Sequence, residues 1–202
     1  MTSPPGWSGF DVHQLWLCCK CAAKGLNLSA TFTGEHMQLE AMAVTIPSVD
    51  GHPNRVAFEG TLTVVDTASD KAPAGARGHR VVLTREAAEK ALPSLLGMAV
   101  DYRPGWDGHD ARRKIGLLTE ANLAGKKLTV KGYLYARDFP ELAREILARS
   151  PEDLGMSYEI ADARVEDMRA EVWKLTRVTF TGAAILLREK AAYRATSFRM
   201  AS

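Results

Sequence analysis

Ser157 lies in an apolar stretch, Leu154-Gly155-Met156-Ser157-Tyr158-Glu159-Ile160, and well upstream of it stands Gly108-His109-Asp110. A serine hydroxyl is a weak nucleophile at neutral pH until a base removes its proton. Imidazole, with an ordinary pKa of about 6.5, is the side chain suited to that task. The pair could therefore perform acyl transfer if the fold brings the two together. Taken singly, neither residue points to chemistry. A serine in a strand is ordinarily a core-edge hydroxyl bonded to backbone, and a histidine in a glycine-rich loop ordinarily supports a turn or faces solvent.

The chain that must position them has 202 residues, 46% hydrophobic and 25% charged, enough to bury one sizeable core. Its formal net charge of +2 argues against a nucleic-acid or membrane-surface partner, and Arg112-Arg113-Lys114, the one tight basic run, reads as a solvated edge. No apolar segment approaches the length of a membrane-spanning helix, and the N-terminus lacks the order of a secretory signal, so a cytoplasmic protein is expected. The cysteines Cys18, Cys19 and Cys21 are too crowded to be a disulfide framework. With His13 or His36 as a further ligand they could form a metal site, but their spacing fits no standard zinc pattern; reduced thiols and no metal are expected. Met37 and Met42 fall just before regular patterning begins, so initiation at either would leave the preceding residues outside the protein.

Residues 1–49 show no sustained period and read as a flexible extension. Alternation over Val56–Val64 predicts a strand, 67–78 a loop, and His79–Leu83 another strand. Thr84 should cap a helix from Arg85 that Pro93 shortens and Gly97 ends. Met98–Tyr102 is expected to be a strand leading into the turn-rich segment before His109. Ile115–Glu120 and Lys127–Ala136 read as strands joined by a hairpin near Asn122 and Gly125. Asp138 should cap a helix through Arg149, with Leu142, Ile146 and Leu147 sharing a face. A strand carrying Ser157, a turn near Glu166-Asp167, a strand from Glu171 to Phe180 and an apolar run Ala183–Leu187 follow. The sum favours a mainly β (α+β) fold, a single, largely antiparallel β-barrel of about seven strands with flanking helices, over residues 50–190, with 191–202 as a C-terminal tail.

Between about 56 and 187 the sequence resembles the prohead proteases of tailed bacteriophages, capsid-maturation serine peptidases similar in fold to the herpesvirus assemblins. Three blocks carry the resemblance. Asp101-Tyr102 through Gly108-His109-Asp110 and then Lys114-Ile115-Gly116 look like the His-Asp and hydrophobic-Gly start of the family's base strand. Gly155-Met156-Ser157 is similar to the Gly-Leu-Ser nucleophile block, and Val172 through Thr181-Gly182-Ala183-Ala184 to a late strand ending in a small-residue loop.

The resemblance implies Ser157 as nucleophile, His109 as base and backbone near Gly182 as oxyanion donor, with no cofactor. It also implies capsid and scaffold polypeptides as substrates, self-processing, a location inside the assembling procapsid in the host cytoplasm, and a homodimer as an option. At the position expected to hold the third catalytic member the chain has Lys174, which cannot accept a hydrogen bond from imidazolium while charged. Glu159 is the first replacement, because residues i and i+2 of a strand point to one side; Glu171 and Asp110 are alternatives. Two competing readings stay open: a non-enzymatic capsid-assembly or scaffolding module on the same barrel, motivated by Lys174, and a metal-binding protein centred on the cysteine cluster.

Overall fold

The structure, a computed structural model, describes residues 51–200. The N-terminal extension, the cysteine cluster, His13 and His36 lie outside the described residues. Eight strands and two helices follow in the order β1 (Arg55–Val64), β2 (Arg80–Leu83), α1 (Arg85–Ala91), β3 (Ala99–Tyr102), β4 (Lys114–Ala124), β5 (Lys127–Tyr135), α2 (Pro140–Ala148), β6 (Leu154–Val165), β7 (Val172–Leu187) and β8 (Ser197–Met200).

All eight strands belong to one sheet whose axis is β7. Along one edge of β7 runs β6, antiparallel from Leu154↔Leu187 to Val165↔Leu175. Along the other edge lie β2, facing Val172–Leu175, and β3, facing Ala183–Ile185, both parallel to β7. They act as two halves of one strand parted by α1. Thr84 opens that helix as expected, its hydroxyl accepting from the Ala87 N–H at 3.3 Å. Pro93 falls in a single 3₁₀ turn, Leu92–Leu95, that ends the helix. Where β7 lacks a strand neighbour on that edge, the Ser94 hydroxyl accepts from the Phe180 N–H at 3.0 Å. The sheet continues antiparallel through β4, β5, β1 and β8.

Mainly β architecture with flanking helices is thus the fold, with eight strands rather than about seven and a mixed rather than largely antiparallel sheet. The two parallel pairings arise from the helical crossovers that return the chain to β7, which hydrophobic periodicity does not encode. The sheet curls until β6 packs on β1 and β8, although among the described residues no ladder joins those ends. Closure depends on small residues. A Cβ on Gly60 would meet the Ser197 carbonyl at 2.5 Å and the Met156 sulfur at 2.8 Å. Gly60→Ala is therefore expected to lower the urea midpoint by an amount equivalent to about 1–3 kcal/mol, the usual cost of overpacking.

Residues 191–200, expected to be a tail, belong to the folded sheet. Tyr193 is buried, β8 pairs with β1, and Phe198, 1% exposed, packs its ring 5.2 Å from that of Phe58. Two details of α2 also differ from expectation. Its N-terminal flank is Phe139, with no side-chain cap, because the Asp138 carboxylate accepts from the Asn54 amide at 2.8 Å instead. Leu142 and Ile146 are buried as expected, but Leu147 is exposed.

The stretch read as a small-residue loop at 181–184 is strand interior. Thr181 is the extra residue of a bulge, since Glu159 pairs with Gly182 and Ile160 with Phe180. The bulge reverses the phase of β7. Val178 and Phe180 face the core before it, and Ala183 and Ile185 after it. Gly182, Ala184 and Leu186 therefore point to the opposite face. Both faces are buried, which is why the run Gly182–Leu186 is apolar or small throughout.

Candidate active site

Laterally paired residues of a sheet project to the same side, so register alone builds the first part of the site. Ala184 pairs with Ser157 of β6 on one edge and with Asp101 of β3 on the other. Ser157, Ala184 and Asp101 thus form one row on the face away from the core. With strands about 4.8 Å apart, the two outer Cα atoms are roughly 10 Å apart. Gly182 and Glu159 form the adjacent row. At these two rows the central strand offers only Ala184 and Gly182 to this face, leaving space above them.

The β3–β4 loop carries His109 into that space. Trp106, in a left-handed conformation (φ 58°) and 2% exposed, anchors the loop. Its carbonyl accepts from the Leu187 N–H at 2.8 Å, its indole donates to Glu145 of α2 at 3.0 Å, and the Arg149 guanidinium lies 5.1 Å from its ring centroid. Trp106 is thus a packing residue. Trp173, toward the other end of β7, is stacked at 4.5 Å on His79, which is half-buried.

His109 Nδ1 stands 3.5 Å from Asp101 Oδ1 and 3.9 Å from Glu159 Oε1. One carboxylate is on β3 and the other on β6, so the imidazole lies across β7 between them. Neither ring nitrogen has a partner in hydrogen-bond geometry, although both are buried. The ring is poised and not engaged, an arrangement common in sites without substrate.

The two carboxylates differ sharply. The Asp101 side chain is fully buried. Its Oδ1 accepts from the Asp110 N–H at 3.1 Å and its Oδ2 from the Lys114 ammonium at 2.9 Å. Burial by itself pushes its pKa up. His109, Lys114 and the Asp110 N–H together outweigh that and hold the carboxyl below the usual aspartate value. A carboxyl depressed in the fold contributes stability that is complete above its unfolded value and is lost as pH falls through the lower folded one. Acid should therefore destabilise the protein below about pH 4, and Asp101→Asn should flatten that part of the profile of urea midpoint against pH.

Glu159 is half exposed, and its carboxylate lies over Gly182, where an added Cβ would meet its Oε2 at 2.7 Å. Gly182 is then a ladder residue whose missing side chain makes room for Glu159. It is not the open loop expected to receive an oxyanion, because the carboxylate occupies the approach. Of the other expected partners of His109, Asp110 contributes its backbone while its carboxylate accepts from the Arg112 N–H at 3.0 Å and faces Arg113 at 3.4 Å. Glu171 precedes β7 at the far end, its carbonyl bonded to His79. Lys174 also belongs to that end, paired with Val82 of β2 and with Glu166 at 3.1 Å, roughly 26 Å along the strand from Gly182.

The structure thus brings His109 and Glu159 together with Asp101 and puts Ser157 on the same row. It leaves Glu171 and Lys174 elsewhere. Asp101 and Lys114 were missed, although an aspartate between Val100 and Tyr102 in a short apolar strand is a signal, since a buried carboxylate needs partners. Among the described residues no group of histidine, cysteine and acidic side chains has the arrangement of a metal site. No helix among them is long and apolar enough to cross a membrane.

The sequence matches no protein-family model and no curated protein. Among solved structures the chain is similar to the KSHV protease, crystallised in complex with a hexapeptide phosphonate inhibitor, with a TM-score of 0.47 and 12% identity. The match covers 73% of this chain and 65% of the length of that protein. At that level the likeness lends no weight to a reaction or a substrate, and what stands is a mainly β chain in which a serine, a histidine and two carboxylates, from the two strands beside β7 and the β3–β4 loop, gather over the outer face of that central strand.

Proposed function

We propose that the protein is a serine endopeptidase with Ser157 as nucleophile and His109 as general base. The observation that carries this reading is the row Ser157–Ala184–Asp101 with His109 lying across it, its Nδ1 turned toward carboxylates. A base whose Nδ1 faces carboxylates has Nε2 left for a hydroxyl.

In the reaction, the Ser157 oxygen forms a bond to the peptide carbonyl carbon as its proton passes to His109. Imidazolium is stabilised by the facing carboxylate. It then gives the proton to the departing amine nitrogen as the C–N bond breaks, leaving an ester on Ser157. Water, deprotonated by the same imidazole, attacks that ester, and as the C–O bond breaks the imidazolium returns the proton to the Ser157 oxygen, releasing the acid and restoring the free enzyme. The small side chains of β7 make room for the ring.

The three sequence blocks that resemble prohead proteases support a finer reading. The substrates would be capsid and scaffold segments, and the chain itself, cleaved inside an assembling procapsid in the host cytoplasm, with two copies able to associate. Nucleic acid, membrane and cofactor have no part in it. The scaffolding alternative lost its motive when Lys174 proved remote from His109. The test is incubation of purified protein with an unfolded scaffold polypeptide, followed by intact-mass analysis of both. Fragments that appear with the wild type and not with Ser157→Ala or His109→Ala support the reading; identical patterns from all three refute it.

A further inference from the structure

Two carboxylates face the same nitrogen of His109, and they are not equivalent. We propose that Asp101, and not Glu159, is the positioning residue that fixes the His109 ring, with Lys114 and the Asp110 N–H holding Asp101 in place. The inference rests on the reading of His109 as the base for Ser157.

An orienting carboxylate must itself be immobile, because any freedom it has is passed to the ring it holds. Asp101 meets that demand three ways. Its backbone is in a strand paired on both sides, to Ala184 of β7 and to Lys114 of β4. Its side chain is fully buried, and both its oxygens accept hydrogen bonds, from Asp110 and from Lys114.

The Asp110 bond has a second consequence. Asp110 follows His109 in the chain, so the oxygen that faces the ring also fixes the backbone next to it. Position and rotation of the imidazole are then referred to one atom. Oδ1 keeps a lone pair for Nδ1–H after accepting from Asp110, since a carboxylate oxygen takes two donors readily. Neutral His109 should accordingly hold its proton on Nδ1 and offer Nε2 as the base.

Glu159 lacks these constraints. It is half exposed, 3.9 Å from the ring, and no hydrogen bond to its carboxylate is found among the described residues. A solvated carboxylate at that distance contributes little orientation. Its position over Gly182, beside Ser157, suits a group that moves aside when a substrate carbonyl arrives.

The test reads the His109 tautomer by ¹⁵N NMR of histidine-labelled protein, the His109 signal being identified by its loss in His109→Gln. In wild type and in Glu159→Gln, neutral His109 should be protonated on Nδ1. In Asp101→Ala no acceptor faces Nδ1, so the proton should move to Nε2, the tautomer that a free neutral imidazole favours, and kcat should fall about 10³- to 10⁴-fold, as expected when the base is in the wrong tautomer, with KM little changed. Glu159→Gln should lower kcat less than about 10-fold. Nε2–H in the wild type would overturn the inference even if Asp101→Ala fails to fold. So would a Glu159→Gln loss exceeding that of Asp101→Ala. An inactive wild type whose His109 tautomer nevertheless follows Asp101 would preserve the positioning role and refute the peptidase reading instead; an active enzyme whose tautomer ignores Asp101→Ala would do the reverse.

Discussion

Ser157→Ala is expected to lower kcat for peptide hydrolysis by about 10⁶-fold with KM nearly unchanged, equivalent to about 8 kcal/mol of lost transition-state stabilisation. The size follows from what the residue does. Without the hydroxyl no ester forms, so hydrolysis must proceed by direct attack of water, helped only by binding. His109→Ala should cost nearly as much, and the double variant scarcely more, because nucleophile and base act as one unit. The fold should be indifferent to the first change. Ser157 is only partly buried and faces away from the core, while its neighbours Met156 and Leu154 carry the packing. A Ser157→Ala protein with wild-type thermal stability and no activity is the expected pair of results, measured by calorimetry and by a continuous peptide assay.

Phe198→Ala should have the largest effect on stability. The ring is 1% exposed, packs against Phe58, and sits opposite Gly60 in the β1–β8 ladder where the sheet curls back toward β6. Truncating a buried phenylalanine costs about 3–5 kcal/mol, the lost transfer energy plus the cavity left behind. Domains of this size are commonly stable by only about 5–15 kcal/mol in total, so the variant should lose a large share of its stability and could unfold at physiological temperature. Chemical unfolding followed by tryptophan fluorescence measures the loss. A shift equivalent to less than about 1 kcal/mol would mean that β8 is an ornament on the sheet and not part of its closure.

The failure to see β8 in the sequence has a physical cause. A four-residue edge strand with one buried side chain has no period to detect, and nothing in Ser197–Met200 announces that Phe198 is its anchor. The longer elements were legible where one face is wet and the other dry. β5 alternates throughout, β1 in its first half and β4 toward its end, Thr84 caps α1, and Pro93 ends it. Legibility failed at the centre. Gly182–Leu186 reads as a small-residue loop and an apolar run because β7 is covered on both faces there, which removes alternation. Partner choice was invisible too: β2 and β3 run parallel to β7 only because of where the intervening helical crossover returns the chain, a long-range outcome.

The site was half legible for related reasons. Ser157 and His109 stand out by type and setting, and Glu159 follows from the i, i+2 rule. That rule compares residues on one strand. Asp101 lies two strand spacings from Ser157 and meets His109 through the fold of the β3–β4 loop, so only the register of β3 on β7 places it in the same site. Lys174 misled because similarity in a strand sequence was taken for similarity in depth along the strand; its ammonium belongs to Glu166 at the opposite end.

The central claim is that the Ser157 hydroxyl is activated by His109. It is tested most directly by treating the folded protein with a fluorophosphonate, which loses fluoride to phosphonylate serines made nucleophilic by a neighbouring base, and mapping the adduct by peptide mass spectrometry. The account predicts a single adduct on Ser157 that disappears in His109→Ala while the protein remains folded. An adduct on another residue, or labelling of Ser157 at the same rate with and without His109, would contradict it.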